Sequence, residues 1–184
     1  VLSVLLQSFG PVRSAPEIAA MGGHARVRSE HEYGRNYALF EVDGVLMALD
    51  AGAVFEAVPF ARVKRTPSSD GARIGMLDVD VDKERRHFVW VFDLARLTSG
   101  RSRALRGDGQ VILVSDGATT IGLLVDDVHS VQCFAPESAS PVGMAGNEAG
   151  ITLGLIKANG GELLIQEISV KKILAQVCSV MAAA

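Results

Sequence analysis

The feature that most constrains this chain is its punctuation: from Tyr37 onward, short runs rich in Val, Ile, Leu and Phe are each closed by Gly, Asp, Asn or Pro. Short apolar runs bounded by turn-forming residues are the pattern of strands. Tyr37–Val42 is followed by Asp43-Gly44 and then Val45–Leu49, and Asp-Gly is a strong signal for a tight hairpin turn. Later runs are Ile74–Val81, Phe88–Phe92, Val111–Ser115, Thr120–Val125, Val128–Phe134, Ile151–Ala158 and Glu162–Ile168, with Asp116-Gly117 and Asn159-Gly160-Gly161 as turns inside two further hairpins. Roughly nine strands joined by short turns predict a mostly β fold, barrels or a sandwich.

Helices are few. Ala51–Val58 is expected to form one or two helical turns, Leu94–Leu97 follows a strand ending in Asp93, and Ser169–Met181 closes the chain. In the last segment Ile173, Leu174, Val177 and Val180 fall on one face and Lys171 and Lys172 on another, so this C-terminal helix should pack on the sheet. Residues 1–36 differ in texture, with Gly10-Pro11, Pro16, Gly22-Gly23 and a charged stretch from Arg26 to Arg35. They read as an extension or linker, with a helical turn after Ser14-Ala15-Pro16-Glu17, ahead of a domain over 37–184. The apolar run Val1–Phe9 reads as the end of a preceding helix in a longer chain.

Composition narrows the partners. Lys plus Arg number 18 against 21 Asp plus Glu, a formal charge of -3, so there is no general attraction to phosphate backbones and nucleic acid is not expected. Hydrophobic residues make up 48% of the 184, too many for a disordered chain. No unbroken apolar run approaches the roughly 20 residues of a membrane span, so no membrane insertion is expected. Cys133 and Cys178 form no CxxC pair and read as buried thiols in a reducing, cytoplasmic compartment.

Reaction chemistry finds no purchase. Asp78, Asp80 and Asp82 resemble the opening of a calcium loop, but the sixth and twelfth places hold Lys83 and Val89 where that loop needs Gly and Glu. Strand alternation would place the three carboxylates on one solvent face. His24, His31, His87 and His129 lack zinc-site spacing, and neither GxSxG nor GxxxxGK[ST] occurs. The Gly-rich run Gly143–Gly150 reads as a mobile loop without a helix N-terminus to bind phosphate. Arg101–Arg106, without interleaved aromatics, reads as a solvated loop, and Arg106-Gly107-Asp108 as a chance tripeptide. No catalytic residue, cofactor site or metal ligand is nominated, and the chain is not expected to be an enzyme.

Read in order, the strand-bounded phrases resemble CheW-like domains over residues 37–176. Tyr37-Ala38-Leu39-Phe40 with Asp43-Gly44, Val54-Phe55-Glu56-Ala57-Val58 and Val63-Lys64-Arg65-Thr66-Pro67 are similar to the family's opening strand, V-x-E-V phrase and apolar-basic-Pro phrase. Gly75-Met76-Leu77 with Phe88–Leu94 is similar to G-V-I…I-V-P-V-I-D-L, and Ile121–Val128 to G-L-x-V-D-x-V, with Pro141 downstream. Ile151–Leu155 and the hairpin from Asn159-Gly160-Gly161 into Leu163-Leu164-Ile165 are similar to its closing strands. One segment departs: where the family has N-L-R-G, this chain has Asp78-Val79-Asp80-Val81 and then charged Asp82 to His87, and Trp90 stands for a usual Pro. The family's Arg supports receptor contact, so altered coupling specificity is expected.

The resemblance implies two small five-stranded barrels sharing a core, no cofactor, and an adaptor that joins the cytoplasmic tip of a chemoreceptor to the regulatory domain of a CheA-like histidine kinase. The alternative is a CheW-like interaction module of a larger or divergent protein that organises an assembly without receptor coupling. The match places Val54, Phe55, Glu56 and Val58 near the family's partner faces. Val54, Phe55 and Val58 read equally as core, while Glu56 is expected to meet a basic group on a partner. Lys64 and Arg65 suit an acidic partner or a solvated loop. For Asp126 and Asp127 a local Asx turn is the preferred reading over partner contact.

Overall fold

The computed structural model describes residues 34–67, 72–82, 85–100, 107–141 and 150–182. The helical turn expected near Ser14, the basic stretch Arg101–Arg106 and the Gly-rich run short of Gly150 lie outside the described residues.

Asp43 (φ 51°) and Gly44 (φ 75°) both take positive φ, the requirement of a two-residue primed turn. They join β1 (Arg35–Val42) to β2 (Val45–Asp50) with Val42 opposite Val45. The next segment corrects an expectation. Ala51–Val58 is not helical: only Ala51–Ala53 forms a 3-10 turn, capped by the Asp50 carboxylate, which accepts from the Gly52 amide at 2.8 Å. Val54–Pro59 is strand β3, because its β-branched and aromatic residues gain a ladder with β7 (Gln110–Ser115), a partner distant in sequence. A turn at Phe60–Arg62 leads to β4 (Lys64–Arg65), and the hairpin of β5 (Arg73–Asp82) and β6 (Arg85–Asp93) follows. Asp93 is 3% exposed and caps α1 (Leu94–Ser99) by accepting from the Ala95 amide at 3.1 Å. After β7 come β8 (Thr120–Val125), β9 (Asp127–Phe134), a turn at Pro136–Ser138, β10 (Ala139–Pro141), β11 (Thr152–Ala158), β12 (Leu163–Ile168) and α2 (Val170–Ala182).

The strands form two six-stranded sheets, ordered β10-β11-β12-β2-β1-β9 and β3-β7-β8-β6-β5-β4. Each holds five longer strands and one of two or three residues, β4 or β10, so the expected five-stranded units carry a short sixth strand. The sheets share one topology, permuted. Starting from β9, the first reads long strand, 3-10 turn, short strand, hairpin, helix α2, then the pair β1-β2; starting from β3, the second reads the same way through α1 to β7-β8. The strand that feeds each helix pairs in parallel with a hairpin strand, β12 with β2 and β6 with β8. Gly75 and Gly154 occupy matching places opposite the short strands, where a Cβ would run into the carbonyl oxygens of Lys64 and Ser140.

Both faces of each sheet are covered, which is why many runs are continuously apolar instead of alternating. Phe40, Leu49, Phe92, Ile112, Leu123 and Ile173 belong to a core shared by the two sheets and α2. Val58, Phe60, Leu77, Val89 and Leu113 form a second core, inside the curl of the β3–β4 sheet. Tyr37, Leu39, Ala48, Ile156 and Ile165 do the same for the other sheet.

Candidate partner-binding surface

The site begins with a mismatch of one residue. Val54 faces Val114 and Glu56 faces Leu113, so Phe55 is the extra residue of a bulge on β3. A bulge re-aims a side chain and breaks the strand's alternation. Val54 packs half-buried against the shared core, Val58 is 3% exposed in the core of its own sheet, and Phe55 stands 62% exposed. Phe88, also 62% exposed, lies in the first half of β6 in line with Trp90 and Phe92, whose rings reach the shared core.

Phe55 and Phe88 rim a depression of about 680 Å³ at the end of the curled sheet, floored by Val79, Val89 and Leu113, with Glu56, His87, Ser115 and Thr120 on its walls. A second, smaller space of about 290 Å³ continues between β3 and β5, where Glu56, Val58 and Arg62 face Leu77 and Val79. Glu56 borders both spaces, is half-buried, and makes no hydrogen bond or ion pair with any described residue. The turn beside the depression is held by Asp116, whose carboxylate accepts from the Thr119 amide at 2.9 Å and the Ala118 amide at 3.0 Å. Those backbone bonds hold its carboxyl below the ordinary Asp range.

The remaining candidates fall elsewhere. Lys64 and Arg65 are exposed on β4 opposite Met76 and Gly75, toward the other end of β5 from Val79, and the Arg65 guanidinium lies 5.3 Å from the Phe60 ring centroid. The Asp126 carboxylate reaches beyond its own turn: it accepts from the Asp43 amide at 2.6 Å, tying the β8–β9 junction to the first hairpin. Asp127 does bond locally, to the Val128 amide at 2.9 Å, and also accepts from Gln110 at 3.0 Å. His129 lies exposed with Glu41 and Asp127 oxygens at 3.8 Å. Cys133 and Cys178 are exposed free thiols, not the buried hydrophobes expected. Asp78, Asp80 and Asp82 share β5, but the register shifts between Asp80 and Asp82, so strict alternation stops there. Among the described residues no group of three His, Cys, Asp or Glu is disposed to hold a metal ion, and no helix is long and apolar enough to cross a membrane. Phe88 is the surface residue the sequence reading missed; its shared face with Trp90 and Phe92 was the available signal.

Two permuted copies of one sheet topology around a common core, with an exposed aromatic rim, define a double-sheet β module. The CheW-like domain model matches residues 36–178, and the chain belongs to that family. No curated protein sequence matches it significantly. Among solved structures, it is similar to the crystal structure of the scaffolding protein TtCheW from Thermoanaerobacter tengcongensis, with a TM-score of 0.62 and 22% identity, over 74% of this chain and 90% of that one. At that identity the likeness establishes the fold.

Proposed function

We propose that this chain is a non-enzymatic adaptor of a chemosensory-type system, linking a receptor to the regulatory domain of a CheA-like histidine kinase in the cytoplasm. The reading is supported by family membership, and the observation that carries it is the pair of exposed aromatic rings, Phe55 and Phe88, lining one depression with the Glu56 carboxylate, which has no partner among the described residues. Large exposed aromatics at a concave rim are the kind of side chain that anchors protein interfaces, and a rim charge adds register and on-rate. Val54 and Val58 support this surface from beneath. Lys64 and Arg65, on β4, are proposed as a separate contact for an acidic partner.

Co-purification with a CheA-like regulatory domain at physiological salt tests the reading. Retention by the wild-type chain and loss with Glu56→Lys are expected; wild-type failure to bind, or binding unchanged by the substitution, defeats it. The second reading, a module that organises an assembly without receptor coupling, draws on the β5–β6 hairpin, which has Asp80 opposite Arg86 and Asp82 opposite Arg85 where the family's N-L-R-G would stand. Kinase-domain binding without binding to a receptor cytoplasmic tip would select it.

A further inference from the structure

We infer that the depression between Phe55 and Phe88 is a socket for one lysine-type side chain of the docking partner, with its ammonium at Glu56 and its methylene stem against the two rings; this rests on the reading that the depression faces a partner. Glu56 is half-buried beside Val79 and Leu113 and has no cation, hydroxyl or amide as partner among the described residues. The neighbouring charges do not supply one: Arg62, which borders the smaller space together with Glu56, makes no ion pair with it. Asp116 is an anion committed to its own turn, and His87, exposed on the wall, makes no ion pair with Glu56.

A partner that covers this depression removes Glu56 from water. Covered by an apolar anchor alone, the carboxylate is desolvated without compensation, and an unpaired buried charge opposes docking. Covered by a cation on an apolar stem, it gains a charge-assisted bond in surroundings of low polarity. The rim favours the same occupant, because aromatic faces attract cations and methylenes together. Charge complementarity therefore selects a basic side chain over the bulky apolar plug that the two phenylalanines alone would suggest.

The test titrates the full chain, with its phenylalanine rings isotopically labelled, with Nα-acetyl-lysine methylamide and with the norleucine analogue, which keeps the stem and lacks the ammonium. Shifts at Phe55 and Phe88 with at least tenfold tighter binding of the lysine probe are expected. Glu56→Gln should remove that preference, and Phe88→Leu should weaken both probes. Equal binding of the two probes, no ring shifts up to solubility, or a lysine preference that survives Glu56→Gln each overturns the inference. A chain that binds the kinase regulatory domain without any lysine preference loses the socket and keeps the adaptor reading. A chain that prefers lysine but binds no such domain loses the adaptor reading instead.

Discussion

Phe55 and His129 occupy the same place in the two sheets: each is the extra residue of a bulge, Phe55 opposite the pair Leu113–Val114 and His129 opposite Leu39–Phe40. The backbone device is repeated, but the side chain it re-aims is not. In one sheet it is a large apolar ring at an open depression, and in the other an imidazole with the carboxylates of Glu41 and Asp127 nearby. Matching strands thus end in unlike chemistry, so the two ends of the module present different faces to anything that docks on them.

Phe55→Ala separates an anchor from a core residue. The ring is 62% exposed, so unfolding stability should change by no more than about 0.5 kcal/mol. Affinity for the kinase regulatory domain should fall by about 2 kcal/mol or more, roughly 30-fold. Calorimetric titration and urea melts of the same variant read the two effects. A parallel loss of stability would make Phe55 a packing residue.

Some of this architecture was legible in sequence because its causes are local. Asp43-Gly44 supplies positive φ at adjacent residues, Asp93 offers a cap to the helix beginning at Leu94, and Ile173, Leu174 and Val177 fall on one helical face. Within the expected helical stretch Ala51–Val58, the residues from Val54 on are strand because β7 pairs with them, and no local propensity announces a distant ladder. The site was half legible. Family likeness pointed to Phe55 and Glu56, whereas Phe88 required knowing that the shared core stops short of it, and nothing local indicates that Lys64 and Arg65 sit away from the depression. The bond from the Asp43 amide to the Asp126 carboxylate joins two hairpins far apart in sequence, and no local pattern announces it.

Gly154→Ala and Gly75→Ala should each destabilise the fold by about 1–3 kcal/mol, because the added methyl meets backbone on a short neighbouring strand and not a side chain that can rotate away. The repeated topology makes the two losses comparable. Urea denaturation checks this, and a neutral result at either glycine would show that its short strand yields without cost.

Tyr37 is 4% exposed and donates its hydroxyl to the Glu167 carboxylate at 2.9 Å, so Tyr37→Phe should cost about 1 kcal/mol. Burial first, and then the Glu167 bond and charge, raises its phenol above the ordinary value. The sign follows from the raised folded value: this contribution is complete below the unfolded value, about pH 10, and is lost as pH rises through the folded one. Stability of wild type should therefore fall more steeply than that of Tyr37→Phe in alkaline urea melts. Identical slopes would place the hydroxyl in water.

Asp126→Ala removes the acceptor of the Asp43 amide but leaves the backbone bond from the Asp126 amide to the Glu41 carbonyl at 2.9 Å. The side-chain bond is exposed, so the expected cost is about 1 kcal/mol, below the usual value for a charged acceptor. Because the backbone bond persists, β1 keeps its register with β9 and the effect should stay at the turn. Hydrogen exchange separates the two levels: the Asp43 amide should exchange faster in the variant while the amides of Leu39 and Phe40 stay protected. If protection fell along all of β1, Asp126 would be holding the strand pair itself, and the first hairpin would depend on the second half of the chain for its position as well as for the shape of its turn.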